Sequence, residues 1–317
     1  MSDPSRGDAG PDDDGGTAPD ATTAADATVG DGGEPAGADE VVDASASGSP
    51  AEDDSGSPLR AIGTAFGLGL LSILILVVVA IVAGGGLSLI GTVTDWQPPF
   101  VVQVMVPFAL SQIVAFVGLG LAYLRWRGLD TDDIVAYLGI RWPSPLEAVI
   151  AVVGPFVAIG AVFITLTVVT GFVTEPAPNQ GAQVALENPS IIPVMIVGML
   201  LVVGPCEEFL FRGVIQSRAR ETFSAAPAIV LSAAVFAPIH IVSLAGGGFT
   251  AMLATISILF VPALFFGAVY EYTGNLVVVA VMHGLYNSLI LTMIYIAITY
   301  GPEMEGAGQA GTALIGV

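Results

Sequence analysis

Seven uninterrupted apolar runs decide most of what this chain can become. They cover approximately residues 62–83, 101–124, 146–173, 191–217, 225–243, 251–270 and 275–298. Each is long enough to cross a hydrocarbon core that takes about 20 helical residues. Inside a bilayer no water reaches backbone N–H and C=O groups, so a span must be a helix or a strand of a closed barrel. Barrel strands alternate apolar and polar residues, whereas these runs are continuous, and the spacing therefore predicts helices. Composition agrees. Of the 317 residues, 54% are hydrophobic and 11% charged, against about 25% charged in soluble domains. The expected fold class is all-α, a polytopic membrane bundle of about seven transmembrane helices. No internal repeat is visible and the two halves differ in polar content, which argues against a transporter built from inverted repeats.

The net charge of −20 is unevenly placed: residues 1–59 hold fifteen Asp and Glu against one Arg. That stretch is Asp, Gly, Ala, Ser and Pro without an aromatic residue. It cannot bury enough apolar surface to offset the entropy of ordering, so it is expected to be a disordered, solvated acidic tail. It lacks the basic start and early apolar run of a signal peptide. The basic residues are all Arg, and with the acidic tail this hints at a salt-adapted source. A single cysteine excludes an intramolecular disulfide and a thiolate metal cluster. Arg60, Arg125, Arg127, Arg141, Arg218 and Arg220 fall at alternate ends of the runs. Seven crossings with a cytoplasmic N-terminus put all of them inside, as the positive-inside bias requires. The cell membrane is the expected location, with Trp96, Trp126, Trp142 and Tyr123 near its interfaces. The chain divides into the tail (1–59), N-terminal helices (60–139), a second helical block (140–298) and a C-terminal tail (299–317).

Few ionisable residues lie inside the runs, and such residues usually face a bundle interior or a wet cavity. They are Glu207, Glu208 and Arg212 in "EEFLFR", His240 in "FAPIH", and His283, which is accompanied by Asn287 in "HGLYN". His240 and His283 are the only histidines in the chain. On a helix Glu208, Arg212, Gln216 and Arg220 form one polar stripe, so Glu208 can be neutralised by Arg212. Glu207 points about 100° away and has no partner on its own helix. His283 and Asn287 share a face. At 1.5 Å per residue Glu207 lies about 20 Å from Arg220, His240 about 22 Å from Ala225, and His283 about 12 Å from Asn275. The three levels agree to within two turns, so the side chains can meet if the helices tilt.

A carboxylate, two imidazoles and an amide suffice for amide hydrolysis. One Glu, assisted by one of the two histidines, can take a proton from water and deliver it to the leaving amine. The remaining His and the Asn can donate hydrogen bonds to the developing oxyanion. Glu207, His240 and His283 also match a catalytic zinc set, so a divalent metal such as zinc and a metal-free site both stay open. Cys206 raises a thiol nucleophile paired with His240, although a small buried Cys more often fills space. The glycine runs 84–86 and 246–248 read as loop flexibility and close helix packing.

These residues resemble the CPBP group of intramembrane proteases, which includes the type II CAAX prenyl proteases and bacteriocin-processing or self-immunity proteins. "EEFLFR" fits its EExxxR motif (Glu207, Glu208, Arg212), "FAPIH" its FxxxH motif (Phe236, His240), and "HGLYN" its HxxxN motif (His283, Asn287). Over roughly residues 140–295 the resemblance implies a multi-helix protease domain with its site inside the membrane, reached from the cytoplasmic side. It implies that Glu207 and His240 activate water, that His283 and Asn287 support the oxyanion, and that Glu208, Arg212 and Phe236 support the site. The family is often labelled a metalloprotease. The partners expected are the lipid bilayer and a membrane-anchored protein or peptide, prenylated CAAX-like or leader-type, and no nucleic acid. The rival readings are a proton-coupled transporter and a catalytically silent membrane scaffold.

Overall fold

The structure, a computed structural model, describes residues 57–172, 175–244 and 246–300. Residues 1–56 of the expected disordered tail and most of the C-terminal tail lie outside the described residues, whereas Pro58 and Leu59, counted in that tail, open the first helix. In chain order the helices are α1 (Pro58–Thr94), α2 (Phe100–Trp126), a short α3 (Thr131–Leu138), α4 (Pro145–Thr170), a short α5 (Gln180–Glu187), α6 (Pro189–Arg220), α7 (Ala225–Ser243), α8 (Phe249–Thr273) and α9 (Leu276–Tyr300). No strand occurs among the described residues. Among the described residues all but α3 and α5 are long and apolar enough to cross a membrane, which makes seven such helices there. The chain is an all-α, multi-pass membrane protein.

One boundary differs from expectation. Helix α1 continues through Gly84, Gly85 and Gly86 to Thr94 instead of breaking there. The flanking sequence is a run of strong apolar residues, and in a bilayer leaving the backbone unpaired costs more than a glycine does. The glycines at 246–248 do form a loop, with positive φ at Gly246 and Gly247. Helix α4 starts where the sequence signals it. Ser144 and Glu147 cap each other's backbone N–H groups and Pro145 takes the first position.

Polar contacts sort the connections into two ends. At one end the Arg127 guanidinium forks onto the Glu221 carboxylate at 2.7 and 3.0 Å, and the Tyr137 hydroxyl donates to the same carboxylate at 2.8 Å. Burial and that carboxylate hold the Tyr137 hydroxyl well above its ordinary range. Arg141 donates to Glu147 and to the Thr273 carbonyl, and Arg220 to Glu271. At the opposite end Ala177 donates to the Ala251 carbonyl, Asn179 to Ser243, and Gln180 to the Leu244 carbonyl. The spans therefore alternate in direction, with the arginines gathered at one end.

Burial decides which spans form the middle. The most apolar windows of α8 and α9 are 50% and 56% buried, whereas that of α1 is 22% buried. Leu70, Ile81, Val82 and Leu201 stay exposed on the outside. In water such a belt would drive association, and against lipid it costs nothing.

Candidate active site

The site begins with two glycines. A Cβ at Gly204 would stand 2.5 Å from the Ala280 carbonyl and 2.8 Å from the Gly284 nitrogen, and one at Gly284 would stand 2.9 Å from the Leu200 Cα. Helices α6 and α9 thus meet backbone to backbone, the close approach that small residues allow in membranes. Gly204 lies three residues before Glu207 and Gly284 directly follows His283, so the crossing delivers the carboxylates to the imidazole. Gly204→Ala is accordingly expected to lower thermal stability and hydrolysis together, because the groups it meets are backbone and cannot rotate away. Melting curves and peptide cleavage on the purified variant test this; an unchanged variant on both readouts removes the crossing as the positioning device.

Glu208 is at the centre of the polar cluster. Its Oε1 accepts from Arg212 Nη1 at 3.0 Å and lies 2.7 Å from His283 Nδ1. Arg212 is fully buried. Its Nη2 donates to the Ala263 carbonyl at 2.9 Å, and its guanidinium lies 4.6 Å from the Phe236 ring centre and 5.7 Å from that of Phe266. Gln216 Nε2 donates to the Gly267 carbonyl at 2.9 Å. The stripe Arg212, Gln216 and Arg220 therefore matches positions 263, 267 and 271 on α8, although residues 209–216 are wound as a π-helix. The expected Glu208–Arg212 pair is present, and Glu208 also orients an imidazole, which helical spacing within α6 could not reveal.

Glu207 faces the other way. Its Oε2 is buried without a hydrogen-bond partner, 4.0 Å from His240 Nε2 and 3.9 Å from His283 Nε2. The tautomers follow from what each Nδ1 meets. Helix α7 tightens into a 3-10 turn at His240–Ser243, so the His240 N–H bonds the Ala237 and Pro238 carbonyls. The Phe236 carbonyl is left to accept from His240 Nδ1 at 2.9 Å. A carbonyl can only accept, so His240 Nδ1 carries hydrogen. The arginine-bound Glu208 makes the same demand of His283 Nδ1. In the neutral form both rings present an Nε2 lone pair towards Glu207 Oε2. Three acceptors thus face one point, suited to a species with protons to share.

These atoms line a cavity of about 490 Å³ with Phe236, Tyr286 and Asn287. All four expected catalytic residues, Glu207, His240, His283 and Asn287, are on its wall. It is otherwise largely apolar, drawing Leu76 from α1, Phe108 from α2, Met199 from α6 and Ile294 from α9. On α9 the lining runs from His283 towards Tyr300 and on α7 from Phe236 to Ser243. The cavity therefore extends from the site away from the arginine-rich end, whereas the family resemblance implied access from that end. Cys206 is not on the cavity wall; it packs in the hydrophobic core, 5% exposed.

The donor chemistry of Glu207, His240 and His283 resembles a zinc set, with both Nδ1 atoms held by acceptors. The spacing does not. Ligand atoms about 2.0–2.1 Å from a tetrahedral zinc sit about 3.3 Å apart, shorter than the 3.9 and 4.0 Å found. No group of three His, Cys, Asp or Glu side chains placed to hold a metal ion occurs among the described residues. As positioned, these side chains do not fit a closed metal site.

Sequence reasoning missed Phe266, whose ring lies 4.9 Å from that of His283 and 5.6 Å from that of Tyr286. An aromatic residue in an apolar run carries no signal that separates it from ordinary core. The two glycines were equally silent, although their nearness in sequence to Glu207 and His283 was available.

Comparison with known proteins agrees with the geometry. No curated protein and no solved structure matches the chain. Residues 189–289 match the family model described as Type II CAAX prenyl endopeptidase Rce1-like. That segment holds all three motifs and both glycines of the helix crossing, and it supports an intramembrane protease. The match over residues 189–289 makes this part of the chain similar to the Rce1-like type II CAAX prenyl endopeptidases, consistent with the CPBP group of intramembrane proteases.

Proposed function

We propose that this protein is an endopeptidase that cuts a membrane-anchored protein or peptide within the bilayer, using water activated by Glu207 and His240. The observation that carries the reading is the convergence of the unpartnered Glu207 Oε2 with two Nε2 atoms at 3.9–4.0 Å in a mostly apolar cavity. An oxygen between them can give a proton to Glu207 and a hydrogen bond to His240 as it attacks a peptide carbonyl. Asn287 supplies a hydrogen-bond donor to the oxyanion. His283 can donate from Nε2 only when both its nitrogens carry hydrogen, a form that Glu208 is placed to balance. With neutral imidazoles, two carboxylates and one guanidinium leave one negative charge buried. A single proton shared among Glu207 and the imidazoles cancels it, and amide hydrolysis must pass a proton to the leaving nitrogen. Phe236 and Phe266 cover Arg212 and the imidazoles, keeping the cluster dry.

The N-terminus is proposed to be cytoplasmic, since the arginines share one end. Prenylated CAAX-like and leader-type chains are the proposed substrate classes. Transport and scaffold readings are not favoured, because each leaves the cluster of catalytic type and the family match unexplained. The test compares the C-termini of membrane proteins in cells with and without the chain, followed by cleavage of any altered protein by the purified enzyme in detergent. A protease acts there without an ion gradient. Activity only in vesicles bearing a gradient, with no peptide product, overturns the proposal.

The position of Cys206 adds a sharper expectation. Cys206→Ala should retain hydrolysis close to that of the parent, since the thiol packs in the core and the attacking group is water. Loss of all cleavage in a folded Cys206→Ala protein, measured beside an active Glu207→Gln, points to a thiol nucleophile instead.

A further inference from the structure

The cavity wall holds more polar groups than the reaction uses, and they fall into two kinds. Ser111 donates to the Phe108 carbonyl, Asn179 to Ser243, Gln180 to the Leu244 carbonyl and Ser243 to the His240 carbonyl. Their donors are spent within the fold. Gln112 and Tyr286 differ. Gln112 is 5% exposed and Tyr286 3% exposed, yet Gln112 Oε1 and the Tyr286 hydroxyl have no hydrogen-bond partner. Both line the cavity shared with Glu207. Buried polar groups are usually satisfied, and one left unpaired destabilises the fold that holds it.

Their chemistry is complementary. An amide oxygen accepts a hydrogen bond and a phenol can donate one. A peptide unit offers an N–H for the first and a C=O for the second. The backbone around Gln112 supports a functional role, because α2 changes there from α to π winding over Ile113–Gly118. Such turns concentrate at functional sites. The remaining wall is apolar and suits the side chains of a membrane segment.

We infer that Gln112 and Tyr286 bind the substrate's peptide backbone, Gln112 Oε1 accepting from an amide N–H and the Tyr286 hydroxyl donating to a carbonyl. This rests on the protease reading and deepens it: the enzyme recognises an unwound, extended stretch of polypeptide by its main chain. It also gives α2, outside the family-matched segment, a part in the site. A peptide still wound as a helix has its N–H and C=O groups occupied, so the substrate must unwind locally to be held.

The test measures binding separately from cleavage. A fluorescein-labelled 20-residue Leu/Ala peptide, and versions N-methylated at successive positions, are titrated by anisotropy in detergent against the catalytically impaired Glu207→Gln protein. Gln112→Met and Tyr286→Phe are introduced on that background; the first replaces the amide, Oε1 and Nε2 together, with an apolar group of similar length, and the second removes the hydroxyl alone. Both are expected to weaken binding about tenfold while the melting temperature stays level or rises, because an unpaired polar atom has been taken away. N-methylation at one position should cost the Glu207→Gln protein a similar factor and cost the Gln112→Met variant nothing further. Unchanged dissociation constants in both variants overturn the inference, as does absence of peptide binding to the Glu207→Gln parent. A fall in melting temperature without a binding change assigns both residues to structure. Failure of the unsubstituted enzyme to cut peptide, with the binding pattern intact, counts against the protease reading alone.

Discussion

Glu207→Gln is expected to abolish measurable peptide hydrolysis while leaving expression and melting temperature level with the parent. The amide keeps the side chain's size but cannot take a proton from water, and a positioned base is worth about 10²–10⁴ in rate. Stability should hold because Glu207 Oε2 forms no hydrogen bond to lose. His240→Ala should be comparably severe, since its Nε2 faces the same point from α7. Asn287→Ala should be milder, at about a hundred- to a thousandfold in rate, because it removes one oxyanion donor. Purified variants assayed side by side on one peptide check the order. Full activity in Glu207→Gln removes the hydrolytic site and favours the scaffold.

The arrangement was legible in the sequence where one helix decided it. Seven continuous apolar runs allow little besides seven spanning helices, and Glu208 with Arg212 four residues later needs only helical spacing. The meeting of Glu207 with His240 and His283 was visible only as residue types at loosely matching depths. Their distance depends on how α6, α7 and α9 cross, and the approach of α6 to α9 is set by Gly204 and Gly284, which in sequence look like many other glycines. The bond between His283 and Glu208 was hidden for the same reason, as it joins residues 75 apart. Gln112 and Tyr286 could not be singled out at all. A polar side chain within an apolar run declares itself unusual, but whether its hydrogen bonds are spent is a property of the folded bundle. The direction of the cavity was missed too, because arginine placement orients the helices and says nothing about where they separate.

Arg212→Ala is expected to be the most destabilising single change in the bundle. The substitution leaves Glu208 fully buried with His283 as its remaining side-chain partner, strips the Ala263 carbonyl of a donor and empties the space between Phe236 and Phe266. Breaking one side of a buried ion pair costs about 3–5 kcal/mol, since the surviving charge keeps its desolvation penalty without its partner. Removing both charges together should cost less than that. In Glu208→Gln with Arg212→Met the volume is nearly kept, neither member of the ion pair is left charged without the other, and the amide oxygen can still accept from His283 Nδ1. The double variant is therefore expected to recover much of the stability that Arg212→Ala loses, as thermal melts in detergent would show. Its hydrolysis should stay low even when folded, because a neutral amide orients His283 without balancing charge on the ring. If the double variant melts no higher than the single one, the pair is not held by charge neutralisation. If it is both stable and fully active, Glu208 serves packing alone and the charge balance proposed for His283 fails.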